Sequence, residues 1–263
     1  MDKASFGGVL LAFGGITAGL LLEGGNLSQI LQPTAAMIVF GGTLGAVLLQ
    51  FPLAVVLGAF RRLAQVFIEP TANPQTLIQE LVKYANQARR EGIVSLDAEL
   101  GKIQEPFLKK SLMLAVDGTE PEELRKMMEL ELDNQAEHDE KIPHVFESAG
   151  GFAPTIGIIG AVLGLIQVMQ HLDKIDEVGK GIAVAFVATI YGVGSSNLLF
   201  LPSAGKLKIR MREEQVIREM TLEGVVSILE GMNPRMLETK LLGFLADEGK
   251  TAKAPESKPE VPA

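Results

Sequence analysis

Ionisable side chains are missing from long blocks of this chain, and that distribution constrains the fold more than any average does. Between Lys3 and Arg61 the only such residue is Glu23; no Asp, Glu, Lys or Arg occurs from Ser148 to His171, and none from Gly181 to Gly205. A helix rises ~1.5 Å per residue, so a hydrocarbon layer ~30 Å thick needs about 20 apolar residues in a row. Four segments meet that demand: spans 1 to 4, at about 6–22, 33–55, 149–170 and 181–202. Core helices of soluble domains rarely run this long without one charge. Span 1, with Lys3 before it, has the look of a signal peptide. Yet Glu23-Gly24-Gly25-Asn26 is a poor cleavage site and span 2 follows directly, so a retained hairpin is expected.

Lysine and arginine counts give the orientation. Segment 61–147 carries eleven, segment 203–263 carries ten, connection 171–180 carries two and connection 23–32 carries none. Both large charged segments are therefore expected in the cytoplasm, with both termini inside. The fold class is an all-α integral membrane protein: four transmembrane helices in two hairpins with a helical cytoplasmic domain. The expected divisions are 1–60 (hairpin 1), 61–147 (cytoplasmic helices), 148–202 (hairpin 2), 203–246 (cytoplasmic C-terminal helices) and 247–263 (a disordered tail).

Composition removes several chemistries. There is no cysteine, and the histidines are three, His138, His144 and His171. A disulfide scaffold, a thiolate or histidine-rich metal centre and a cysteine nucleophile are excluded. A net charge of −8 argues against nucleic-acid binding. No cofactor is expected, and the acidic pairs of the charged segments lie in ordinary surface patterns, so no enzyme is expected either.

The charged segments carry local helix signals. Leu77, Ile78, Leu81, Val82 and Ala85 follow the helical period. Gly92 interrupts it, and Val94-Ser95-Leu96-Asp97 opens a further helix. Thr119-x-x-Glu122 with Pro121 has the form of a capping box, Pro143 is expected to bend the chain into span 3, and a helix from Leu207 to Leu229 should stop at Gly231-Met232-Asn233-Pro234. Within the spans, glycines cluster at Gly7-Gly8, Gly14-Gly15, Gly19, Gly41-Gly42 and Gly45, then at Gly157, Gly160, Gly164, Gly192 and Gly194. Small residues at four-residue spacing let helix backbones approach closely, here against other helices including neighbouring copies, so a homo-oligomer is expected.

Polar groups inside a membrane tend to be functional. Spans 3 and 4 hold Thr155, Gln167, Thr189, Tyr191, Ser195, Ser196 and Asn197, none of them an acid or a base near neutral pH. Such a chain cannot relay a proton by itself, and if it conducts, the acid must come from a partner helix. Pro154, near the inner start of span 3, and Pro202, at the inner end of span 4, each remove a backbone donor and should kink the helix and leave a carbonyl free.

Four motifs in order bring a family into view. Ala153-Pro154-Thr155-x-Gly157-x-x-Gly160-x-x-Leu163-Gly164-Leu165 resembles the third-helix signature of the MotA family, the ion-channel subunits of bacterial flagellar stators. Ala183-Val184-Ala185-x-x-x-Thr189-x-Tyr191-Gly192, running to Leu201-Pro202, resembles the fourth. Arg89-Arg90-x-Gly92-x-x-Ser95-Leu96-Asp97 is similar to the charged motif between helices 2 and 3, and Gly231-x-Asn233-Pro234-Arg235 to the one after helix 4. The resemblance runs from about residue 5 to 246. It implies an inner-membrane pentamer around two copies of a MotB-like single-span protein, whose aspartate is the ion-binding acid absent here. It places Pro154, Thr155, Ala161, Thr189 and Pro202 on the ion pathway facing that aspartate. It also turns Arg89, Arg90 and Asp97 toward a FliG-like rotor protein, with Asp97 standing where the family has glutamate.

Sodium-driven relatives resemble one another in a threonine seven residues after the helix-3 proline, and here that position is Ala161. A dehydrating sodium ion needs oxygen ligands and a proton does not, so protons are the expected ion, with sodium the alternative. The rival readings are an ExbB/TolQ-like channel subunit serving outer-membrane processes, which resembles a three-span plan, and a membrane scaffold without ion flux. The extra N-terminal hairpin and the Arg89/Asp97 motif oppose the first; the framing prolines and threonines oppose the second.

Overall fold

The computed structural model describes residues 2–68 and 73–251, and every regular element among them is helical. The helices are α1 (Lys3–Leu22), α2 (Pro33–Ala36), α3 (Gly42–Gln50), α4 (Leu53–Leu63), α5 (Pro74–Glu91), α6 (Asp97–Leu100), α7 (Pro106–Val116), α8 (Pro121–Gln170), α9 (Ile175–Ser195), α10 (Leu201–Leu229) and α11 (Pro234–Thr251). Helical segments long and apolar enough to cross a membrane are Lys3–Leu22, Pro33–Gln50, and parts of Pro121–Gln170 and Glu177–Leu229. The chain forms two compact units, Met1–Pro70 with Glu137–Met211, and Thr71–Ala136 with Arg212–Ala263. Some residues expected in the cytoplasmic domains, such as Ile142 and Leu207, therefore pack with the membrane unit.

In the membrane unit, α1 buries none of its residues, and Leu10, Leu11 and Leu22 are 72%, 75% and 88% exposed. An apolar surface this continuous is stable only under hydrocarbon or another protein. Its first turn is capped by Asp2, whose Oδ1 accepts from the Ala4 and Ser5 amides at 3.0 and 3.2 Å. Span 2 starts with Pro33 in the first turn and passes through a π turn at Met37–Gly41. It ends at Gln50, short of the 55 expected, because Pro52 forces Phe51 into an extended conformation, φ −121° and ψ 145°. Helix α4 then restarts as an amphipathic segment. Its Val56 and Ala59 are buried with Ile142, Val145 and Phe146 of α8 and Leu207 of α10, and Phe60 meets Phe146 edge to face at 6.0 Å.

Pro143 does not break the chain into span 3: α8 runs uninterrupted through both Pro143 and Pro154. An interior proline costs ~3 kcal/mol or more. Ile142, Val145 and Phe146 beside it are all buried, and each contributes roughly 1.5–3 kcal/mol, which outweighs that cost.

The second unit has its own core of Leu81, Leu96, Leu108, Leu112, Leu124, Met128, Met220, Val225, Leu237 and Leu241. On α5 the periodic residues Ile78, Leu81 and Ala85 are buried with Tyr84, and Leu77 and Val82 flank them. The capping box at Thr119 does not form in register, since α8 opens at Pro121 and the cap position falls on Glu120. The Thr119 amide instead closes the preceding helix on the Leu114 carbonyl, behind Gly118 at φ 85°. Helix α10 ends at Leu229 with Gly231 at φ 73° and the Met232 amide on the Ser227 carbonyl at 3.0 Å. Glu223 accepts from Arg125 at 2.8 Å and from Lys240; the Arg125 hydrogen bond, against a burial penalty, lowers its pKa. Helix α11 extends to Thr251, and the rest of the expected tail lies outside the described residues.

Asp2 also ties the N-terminus to α10. Its Oδ2 is 2.5 Å from Lys206 Nζ and 3.0 Å from Arg210 Nη2, and its amide donates to the Phe67 carbonyl at 3.0 Å. The Lys206 hydrogen bond, followed by that from the Ser5 amide, brings the carboxyl from 3.8 to about 2. A depressed pKa stabilises fully above the ordinary value and is lost as pH falls through the folded one. In detergent, Asp2→Asn should melt below wild type at neutral pH, and the difference should shrink between pH 3.8 and about 2. A constant difference across that window, read by thermal unfolding, would show that Asp2 acts otherwise.

Candidate functional site

Spans 3 and 4 touch backbone to backbone. A methyl placed on Gly192 would lie 2.6 Å from the Ala153 carbonyl oxygen and 3.2 Å from Pro154 Cα; one on Gly157 would lie 2.9 Å from the Ala188 oxygen and 3.2 Å from Gly192 Cα. On Gly164 it would meet the Gly181 oxygen at 2.8 Å, and on Gly160 it would meet Ala188 Cβ at 2.8 Å and Ile38 Cγ2 at 3.3 Å. All four glycines are thus consumed within one chain. In the first hairpin only Gly42 is similarly close to another span, 2.8 Å from Ile156 Cγ2, while Gly7, Gly8, Gly14, Gly15, Gly19, Gly41 and Gly45 have nothing within 4 Å.

That contact brings Pro154 against Gly192 and resolves the proline's missing hydrogen bond. Residue 154 would normally donate to the carbonyl of Gly150, four residues earlier. The buried hydroxyl of Ser196 donates to that carbonyl instead, at 2.6 Å. The carbonyl expected to be free below Pro154 is therefore occupied. Ser196 was visible in the sequence only as one polar residue among several; the four-residue arithmetic from Pro154 is the signal that points to its acceptor. Pro202 follows a π turn at Ser196–Phe200, where the Leu201 amide reaches back to the Ser196 carbonyl, and its ring is exposed.

The hydroxyls beside this contact are held by their own helices. Thr155 is exposed and donates to the Phe152 carbonyl at 2.8 Å; Thr189 is half-buried and donates to Ala185 at 3.2 Å. Each keeps its oxygen lone pairs for an outside donor or cation. Ala161, half-buried, lies seven residues from Pro154 and so on the same face of α8. Tyr191 serves packing of hairpin 1: its hydroxyl donates to the Ile30 carbonyl at 2.5 Å and accepts from the Gln32 amide at 3.3 Å. His171 bonds the Gln167 carbonyl at 3.0 Å and pairs with Glu177 at 3.3 Å. Among the described residues no group of His, Asp and Glu could hold a metal ion.

The charged corner lies in the second unit. Arg89 and Arg90 close α5, Asp97 opens α6, and all three are exposed with no hydrogen bond or ion pair among the described residues. The turn between them is fixed from within. Gly92 sits at φ 84° and ψ 159°, a conformation essentially restricted to glycine. Ser95 Oγ donates to the Gly92 carbonyl at 2.7 Å, Gln87 Nε2 donates to the Ser95 carbonyl at 3.0 Å, and Leu96 is fully buried.

The Ser196–Gly150 bond gives a direct test. Ser196→Ala leaves a buried carbonyl unpaired and should destabilise by roughly 1 kcal/mol. In a Pro154→Ala background the restored amide takes that carbonyl, and the same substitution should cost almost nothing. Equal costs in both backgrounds, from a double-mutant cycle of thermal unfolding, would remove Ser196 from this role.

Comparison with known proteins agrees with this architecture along the chain. Residues 6–92 match the motility protein A N-terminal model, and residues 99–220 match that of the MotA/TolQ/ExbB proton channel family. Motility protein A of Bacillus subtilis (strain 168) is 38% identical over 249 residues, 93% of this chain and 91% of the relative. The flagellar MotAB stator complex of Bacillus subtilis contains a chain that superposes with a TM-score of 0.85 at 37% identity, covering 96% of this chain and 100% of that one. For C. jejuni MotAB the values are 0.87 and 32%, over 93% and 96%. The N-terminal match covers the hairpin that a three-span ExbB/TolQ plan lacks. The chain belongs to the motility protein A branch of the MotA/TolQ/ExbB proton channel family, the stator subunits of the bacterial flagellar motor.

Proposed function

We propose that this stator subunit couples proton flow to torque by presenting the face around Pro154, Thr155, Ala161 and Thr189 to an aspartate on a MotB-like partner. The observation that carries this is the absence of any Asp, Glu, Lys or Arg from Ser148–His171 and Gly181–Gly205. The mould has hydroxyls and prolines but no acid. The solved relatives are MotAB complexes, which supports such a partner. Five copies of the chain form a ring around two of the partner, in the inner membrane with both termini in the cytoplasm. The joining of Asp2 to Lys206 and Arg210, after span 4, supports an even number of crossings.

In this cycle a proton from outside neutralises the partner aspartate, which loses its preferred docking against Pro154 and Thr189. Ring and partner then step by one subunit, and release of the proton to the cytoplasm restores the charge. Arg89, Arg90 and Asp97 pass each step to charges on a FliG-like rotor.

Two experiments test the proposal in cells carrying this chain and its partner. Swimming should stop with a protonophore and persist without sodium; the reverse would assign sodium as the ion. Reversal of Arg89 or Asp97 should lower stall torque by a graded amount, since exposed pairs contribute ~1 kcal/mol or less and weaken with salt. Reversal of the facing rotor charge should partly restore it. Unchanged torque in both single reversals would place the rotor contact elsewhere.

A further inference from the structure

The inner end of span 3 carries a charge relay that the cycle above does not use. His144 Nδ1 is 2.7 Å from Glu147 Oε2, and Glu147 Oε1 is 2.6 Å from Lys208 Nζ on α10, beyond Pro202. The Lys208 hydrogen bond, opposed by partial burial and reinforced by His144, holds the Glu147 carboxyl below its usual range. An ionised carboxylate only accepts, so Nδ1 must be the ring nitrogen that donates to it. Neutral His144 then keeps its basic lone pair on Nε2. Nε2 faces Glu140 at 3.9 Å, and the side chain is 45% exposed. The neighbouring element α4 sends Arg62 to Asp139 instead, at 3.4 Å. Glu147, Pro154 and Ala161 recur every seven residues and so line one face of α8, with ~10 Å of rise between successive members.

We propose that His144, oriented by Glu147, is the proton acceptor at the cytoplasmic mouth of the pathway. This role rests on the stator reading above. The partner's carboxylic acid beside Pro154 loses its proton through intervening water and becomes a carboxylate. Nε2 of His144 gains that proton, forming an imidazolium paired with Glu147, and then passes it to bulk water. Lys208 positions Glu147 and takes no proton. Imidazole has a basic ring nitrogen and, once protonated, a second N–H to give up, so it can both accept and release here.

The test uses cells expressing the full chain with its partner, with rotation measured at low load, where proton transfer has most effect on speed. His144→Gln should slow rotation roughly tenfold, less than the ~100-fold or more that a positioned acid or base usually contributes, because bulk water can still take the proton. Imidazole added to the medium should recover much of the speed. In wild type, speed should depend on cytoplasmic pH, and that dependence should be lost in the variant. Should His144→Gln fail to assemble, Glu147→Gln retains the ring while releasing its orientation, and should show partial slowing with the same rescue. Wild-type speed in the variants, or slowing that imidazole leaves untouched with an unaltered pH profile, would overturn the role of His144. A wild-type motor that runs on sodium and ignores protonophores would overturn the proton reading itself, a distinct failure.

Discussion

Close contact between the backbones of spans 3 and 4 is the constraint on which the rest of the membrane unit depends. Gly157 and Gly192 leave no room for a side chain, and a methyl at either would meet the facing backbone. That proximity puts Pro154 where its ring and the missing amide can be tolerated, because Ser196 is near enough to donate to the Gly150 carbonyl. In hydrocarbon an unpaired carbonyl has no water to turn to. Glycine, proline and serine therefore form one device: the glycines set the distance, and the serine repairs what the proline removes.

The same device explains a division of labour between the two hairpins. Gly157, Gly164, Gly181 and Gly192 meet the facing backbone between spans 3 and 4, whereas α1 buries nothing and its glycines meet no neighbour. Span 2 packs Ala35 and Val39 against Val187 and Ala188 of span 4, and polar contacts fasten the two ends of the hairpin. At one end Tyr191 holds the Ile30–Gln32 turn, and at the other Asp2 is bound by Lys206 and Arg210. This arrangement leaves the apolar flank of α1 for lipid or protein.

Much of this was legible because membrane solvation leaves a strong pattern in the sequence. The charge-free blocks located the spans, and the period of Leu77 to Ala85 gave the buried face of α5. The errors have local physical causes. Hydropathy alone carries span 2 past Pro52 because it does not sense the extended backbone that a proline imposes on Phe51. Pro143 sits inside an unbroken α8, its local cost offset by the tertiary burial of Ile142, Val145 and Phe146. Thr119 read as a cap because sequence spacing cannot show that its amide is already used by Leu114. For the site, the residues on the Pro154 face were legible from the family resemblance; the acceptor of Ser196 was not, since it lies on another helix.

In the proposed rotor contact, an exposed corner would transmit force despite weak individual pairs. Arg89, Arg90 and Asp97 have no partners among the described residues, so none of those residues competes for their charge. Their side chains are exposed, but the backbone that carries them is fixed. Gly92 in its restricted conformation, the Ser95 and Gln87 hydrogen bonds, and the buried Leu96 make the end of α5 and the start of α6 one rigid turn. A pair contributing ~1 kcal/mol or less gives little affinity. Presented on a turn that does not yield, several such charges can still set the direction in which a neighbour is pushed, because displacement is then borne by the scaffold rather than by the side chains.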